Sequence, residues 1–236
     1  MMRTQFLRTS LIVIAIFGAV AASADQCVEC HKSPLFRVQH KTLFDYYVAF
    51  EQSVHGVAGL SCSDCHGGDT KTEDPALAHI GVVENVRYDK VPATCGECHV
   101  EEHDSFVGSK HYQIMSDNGT APNCVTCHGA MEMDFIFVSK VRGTCTFCHN
   151  VGSGNAPEVP DHAEYILSQI NIIKGYKHYV ETYSKDRELV AAIDESYDRL
   201  SSYWHRFDFE EVAVESTNLL GVLREAKAQA MRDRRK

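Results

Sequence analysis

The chain is short of positive charge: 23 Lys and Arg face 32 Asp and Glu, a formal net charge of −9. Neutralising a phosphate backbone requires cations, so nucleic acid is excluded as a partner. An acidic surface favours salt-sensitive encounter with basic patches on other proteins. Past residue 24 no apolar run approaches the roughly 20 residues needed to span a bilayer, so no transmembrane span is expected in the mature chain. With 44% apolar and 23% charged residues, the composition is neither that of a disordered chain nor that of a collagen-like repeat. Cysteine is missing everywhere except in one recurring pattern, and none follows Cys148.

Residues 1–24 contain a basic stretch (Arg3, Arg8), an apolar run from Leu11 to Val20 and the small-residue sequence Ala22-Ser23-Ala24. This is the pattern of a secretory signal peptide, with cleavage expected after Ala24; the apolar run is too short for a membrane anchor. Residues 25–236 then amount to one or two folded units at the usual size of about 150 residues each. The expected compartment is the bacterial periplasm, with release to the outside left open.

All ten cysteines fall into five copies of Cys-x-x-Cys-His: Cys27, Cys30 and His31; Cys62, Cys65 and His66; Cys95, Cys98 and His99; Cys124, Cys127 and His128; Cys145, Cys148 and His149. Two thiols about one helical turn apart suit addition to the two vinyl groups of one porphyrin, and the adjacent imidazole then reaches the iron. Five disulfides, a thioredoxin-like dithiol or half of a zinc site would each account for the cysteines. None accounts for a histidine after every pair. The pattern therefore predicts five covalently bound c-type haems. So little chain per cofactor cannot build an ordinary apolar core, so residues 25–150 are expected to form a pentahaem domain in which the porphyrins are the core.

Outside the motifs, Phe50-x-x-Ser53-x-His55 and Phe106-x-x-Ser109-x-His111 repeat the same offsets, each leading into a motif that ends in glycine, Gly67 or Gly129. An internal duplication of a two-haem unit with a fifth haem appended explains this, and marks His55 and His111 as second axial ligands. His40, His79 and His103 complete a set of five candidates for five irons. Met131 and Met133 follow His128 closely, as groups packing against porphyrin or as the ligand of a Met/His haem, and His162, His178 and His205 are held in reserve. The glycines are expected to release the chain from the motif helix in a left-handed turn.

After the turn-rich stretch 152–157 the periodicity becomes helical, defining a C-terminal region 158–236. Ala163, Ile166, Ile170, Ile173, Lys177 and Val180 form one face. Leu189, Ile193, Tyr197, Leu200 and Trp204 form a second, and Phe209, Val212, Ala213, Leu220, Leu223 and Lys227 a third. The third opens on Asp208-Phe-Glu-Glu211, which reads as a capping box. The fold class is mainly α: a multihaem cytochrome c with little regular sheet and a haem-filled core, plus a C-terminal helical bundle or hairpin. The bundle covers the haem array, with a dimer interface or partner docking as alternative roles.

On Cys62–Gly67 and Cys124–Gly129, with Ser53-x-His55 and Ser109-x-His111 before them, the chain resembles the multihaem cytochromes c related to hydroxylamine oxidoreductase and pentahaem cytochrome c nitrite reductase, in their electron-carrier branch. The resemblance covers roughly residues 27–149 and implies haems stacked in alternating parallel and perpendicular pairs. The nitrite reductases bind their catalytic haem through Cys-x-x-Cys-Lys, which is absent here. The expected function is electron transfer between redox proteins through mostly bis-His haems. A quinol-oxidising membrane donor and a reductase or outer-membrane cytochrome acceptor are the expected partners, and a homo-oligomer is left open. The alternatives are an oxidoreductase acting on a small nitrogen or sulfur compound at one five-coordinate haem, and an extracellular polymeric conduit.

Overall fold

The computed structural model describes residues 25–234. The expected signal peptide, residues 1–24, lies outside the described residues. All regular structure among them is helical, and no helix there is long and apolar enough to cross a membrane.

From Gln26 to Thr146 the helices are short, the longest being Lys41–Glu51. Three long helices follow, Val159–Tyr183, Arg187–His205 and Phe209–Asp233, here called the first, second and third bundle helices. Their apolar stripes meet in one core that includes Ile170, Ile173, Val180, Ile193, Leu200, Val212 and Leu223. Lys177, on the stripe read from periodicity, is kept there by ion pairs to Glu181 and Asp194. Lys227, on the third stripe, lies over the Tyr176 ring at 4.3 Å.

The bundle is docked on the chain before it. Val141, in the helix Val138–Thr146 that contains Cys145, packs with Ala163 and Leu167, with Trp204 and Phe209 closing the cluster. In the helix Val100–Val107, Ser105 Oγ donates to Ser202 Oγ at 2.9 Å. The bundle thereby presents the end of its second helix to the haem-motif region.

The repeated Phe-x-x-Ser-x-His has a local structural reason. Phe50 and Phe106 are buried anchors, and Ser53 and Ser109 are buried N-caps that accept from Gly56 N–H (3.1 Å) and Tyr112 N–H (3.0 Å). Each cap satisfies an orphan helix N–H and starts the helix one residue before the histidine.

Two local readings are corrected. Gly67 and Gly129 do have positive φ (71° and 82°), but with ψ of −161° and 165° they lie in an extended region open essentially to glycine, not in a left-handed turn. A Cβ on Gly67 would sit 2.9 Å from the Gly81 carbonyl oxygen, so close backbone approach adds a second reason for glycine. Asp208 forms no capping box: it sits at the N-cap of the third bundle helix without a side-chain cap bond, and its carboxylate accepts from Arg206 Nη2 at 3.2 Å. The turn conformation of Phe207 just before it, with φ of 60°, takes precedence over the local pattern.

Candidate haem sites

Each motif winds through a turn that groups its three functional side chains. Cys65, Cys98 and Cys148 N–H donate to the carbonyls of Cys62, Cys95 and Cys145, and His66, His99 and His149 N–H donate to those same carbonyls at 2.9, 2.9 and 2.8 Å. The fourth motif is fastened by a capping box between Asn123 and Thr126.

All ten cysteines are unpaired. Burial raises the thiols of Cys62, Cys65 and Cys145, and brings those of Cys27 and Cys127 up to about 11. In those five thiols burial favours the protonated form, a poor nucleophile, whereas the bond from Cys95 lowers Cys124. Among the described residues no three of His, Cys, Asp and Glu converge on one point, so the pairs do not assemble a zinc centre. The sulfurs do show how the motifs are ordered. Cys27 is electrostatically coupled to Cys62, Cys65 to Cys95 and Cys98, and Cys127 to Cys145, while the Cys95 thiol hydrogen-bonds to Cys124. Motifs one to five are therefore spatial neighbours in chain order.

The histidines form pairs. His31 and His79 have ring centroids 6.2 Å apart, His55 and His99 5.8 Å, His111 and His149 6.0 Å, and His128 and His205 6.4 Å. A metal held between two imidazoles, with each nitrogen about 2 Å away and each centroid about 1 Å behind its nitrogen, separates the centroids by roughly 6 Å. The spacing fits an iron between two rings and exceeds direct ring stacking. It is the observation on which the fit of a haem iron rests.

The rings are also aimed. His79, His128, His149 and His205 contact the backbone carbonyls of Pro75, Asp134, Asn155 and Ser201 through Nδ1 at 2.6, 2.9, 3.1 and 2.8 Å, and His66 contacts Val83 O at 2.7 Å. A carbonyl only accepts, so Nδ1 carries the proton and Nε2 keeps its lone pair for a metal. Burial holds His31, His55, His111 and His205 below the ordinary imidazole value, with the facing imidazole adding to it in each case. This favours the neutral, ligating form.

The structure thus brings His55, His79 and His111 opposite motif histidines, and it adds His205. His205 sits at the end of an amphipathic helix, and only the docking of the bundle carries it to His128. His40 and His103 are placed differently. His40 lies between two short helices with its ring 4.8 Å from Phe36. The His103 ring packs against Gly96, where a Cβ would lie 2.6 Å from a ring carbon, and its Nδ1 is 3.1 Å from Asp104 Oδ1. No imidazole pairs with His66 in this way among the described residues. Met133 meets the His55 helix through its backbone carbonyl, which accepts from Val54 N–H at 3.0 Å.

Part of the chain is similar to curated cytochromes. It is 28% identical over 123 residues to the C-type polyheme cytochrome OmcB of Geobacter sulfurreducens, covering 48% of this chain and 15% of that protein. It is 25% identical over 158 residues to the multiheme cytochrome MtrA of Shewanella baltica, covering 54% of this chain and 45% of that protein. These likenesses support a multihaem c-type cytochrome. The cytochrome reading agrees with the all-helical architecture and with motifs that occupy every cysteine. The chain spans less than half the length of these relatives. No family model and no solved structure matches it.

Proposed function

We propose that the chain is an exported pentahaem electron-transfer protein of the periplasm, in the electron-carrier branch of the cytochromes related to hydroxylamine oxidoreductase. The four imidazole pairs at about 6 Å carry this reading. Haem iron, when bound, supplies reversible one-electron chemistry. The motif cysteines hold each porphyrin, the paired imidazoles keep the coordination sphere unchanged between oxidation states, and backbone carbonyls fix the imidazole tautomer. Because the motifs adjoin in chain order, five haems form a continuous path with its ends at the first and fifth. A quinol-oxidising membrane donor and a reductase or outer-membrane cytochrome acceptor suit such a path. On the carrier reading the second haem would also take a sixth ligand, for which His40 and His103 are the candidates left over from the set of five.

A second reading rests on His66. Among the described residues it lacks the paired imidazole that the other four motif histidines have, and an open position at that iron would suit an oxidoreductase acting on a small nitrogen or sulfur compound. Carbon monoxide binding to the fully reduced protein, with intact mass, decides between the two. The carrier reading expects five haem masses and no carbon monoxide difference spectrum. A signal from one haem in five, with turnover of nitrite or hydroxylamine, would replace it with the second reading.

A further inference from the structure

Three imidazole pairs have nearly parallel rings, at 25° for His31 and His79, 31° for His55 and His99, and 19° for His128 and His205. The pair His111 and His149 is crossed, at 73°. His149 is anchored through Nδ1 to Asn155 O, whereas the His111 imidazole has no hydrogen-bond partner among the described residues. What it meets is Phe207, whose ring lies 4.2 Å away at 87°. Phe207 is braced in turn by Phe106 at 6.4 Å, and Phe106 stands edge-on to Tyr112 at 5.7 Å.

The backbone beneath Phe207 is unusual. It has φ of 60° at the end of the second bundle helix, with Phe207 N–H donating to Trp204 O and Asp208 N–H to Tyr203 O, both at 3.0 Å. That bond pattern terminates helices on a left-handed residue, and glycine is favoured there because a side chain is strained. A large aromatic residue at such a place indicates that its ring is required.

We infer that Phe207 is a positioning residue that turns the His111 imidazole across the plane of His149 and so makes the fifth haem electronically distinct from the other bis-His haems. The inference rests on the pentahaem reading above. In a low-spin ferric haem, parallel axial imidazoles split the two iron dπ orbitals and give a rhombic resonance. Crossed imidazoles leave those orbitals nearly degenerate and give a strongly anisotropic resonance with a large maximum g value. Ring orientation is thus one of the levers by which surrounding side chains tune a metal centre. Phe207 lies two residues from His205, so a single turn of the bundle contacts the fourth site through a candidate ligand and the fifth through its neighbour.

Low-temperature electron paramagnetic resonance of the oxidised holoprotein tests this on wild type, Phe207→Gly, which suits the backbone and removes the ring, and Phe207→Leu, which keeps apolar bulk. Wild type should show one large-g low-spin species beside rhombic ones, and both variants should convert it to a rhombic signal with five haems retained. Rhombic signals alone in wild type, or a large-g species untouched in both variants, would overturn the inference. A high-spin signal in its place would also overturn it, because Phe207 would then hold the ligand bond and not the ring rotation. Fewer than five haem masses, or a large-g signal that survives His111→Ala, would instead overturn the haem and ligand assignment beneath it.

Discussion

The imidazoles of His128 and His205 lie 6.4 Å apart and 19° from parallel, one ending a Cys-x-x-Cys-His motif and the other ending the second bundle helix. The C-terminal bundle therefore reaches into the haem region with a side chain that fits a sixth ligand.

Replacing His205 with Gly should leave the haem count unchanged and convert one iron to a high-spin form that binds carbon monoxide when reduced. The bundle core has no need of His205, so helical content by circular dichroism should persist. An unchanged low-spin spectrum would remove His205 from the ligand set.

His55→Gly and His111→Gly should each open one iron, and the pairings identify which. His55 faces His99 and His111 faces His149, so the first change should affect the third haem and the second the fifth. In a chain whose Cys95 and Cys98 are replaced by Ser so that the third haem is absent, adding His55→Gly should create no further carbon monoxide site. A new site in that background would contradict the pairing.

The bundle core should be intolerant of cavities. Ile173 and Leu223 are both 0% exposed, and truncating either to Ala should destabilise the bundle by about 2–5 kcal/mol. Ile172, 44% exposed on the same helix, should change stability by only about 0.5 kcal/mol or less when truncated. Thermal unfolding compares the three. If the bundle holds His205 in place, the core variants should also bind carbon monoxide below their midpoint, and the Ile172 variant should not.

Ser53→Ala and Ser109→Ala remove buried N-caps that start the helices bearing His55 and His111. Each should lower stability by about 1 kcal/mol in denaturant unfolding. Both changes should leave the haems attached, since no cysteine is involved. Replacement by Thr should recover part of the loss, a result that a purely steric role for the serine would not produce.

Sequence alone determined whatever depends on neighbours along the chain. Two thiols and an imidazole within five residues already specify a haem attachment unit, because one backbone turn brings them together. Spacing of three and four from Ala163 to Val180 specified a buried helical face. The repeated Ser-x-His marked two histidines at one fixed offset, and the structure shows the serine of each repeat to be an N-cap. Tertiary structure decided which imidazole meets which. His55 faces the third motif and not the second beside it, and His205 reaches His128 only because Val141, Ala163 and Leu167 pack the bundle against the fifth motif's helix. A histidine aimed at an iron and a histidine aimed at water have the same sequence signature, so docking, not local propensity, separates His205 from His162 and His178. The crossed rings at His111 lay further still from sequence reasoning. They depend on the strained turn at Phe207, where the geometry of two packed helices overrides both the glycine preference of the position and the capping pattern of Asp208.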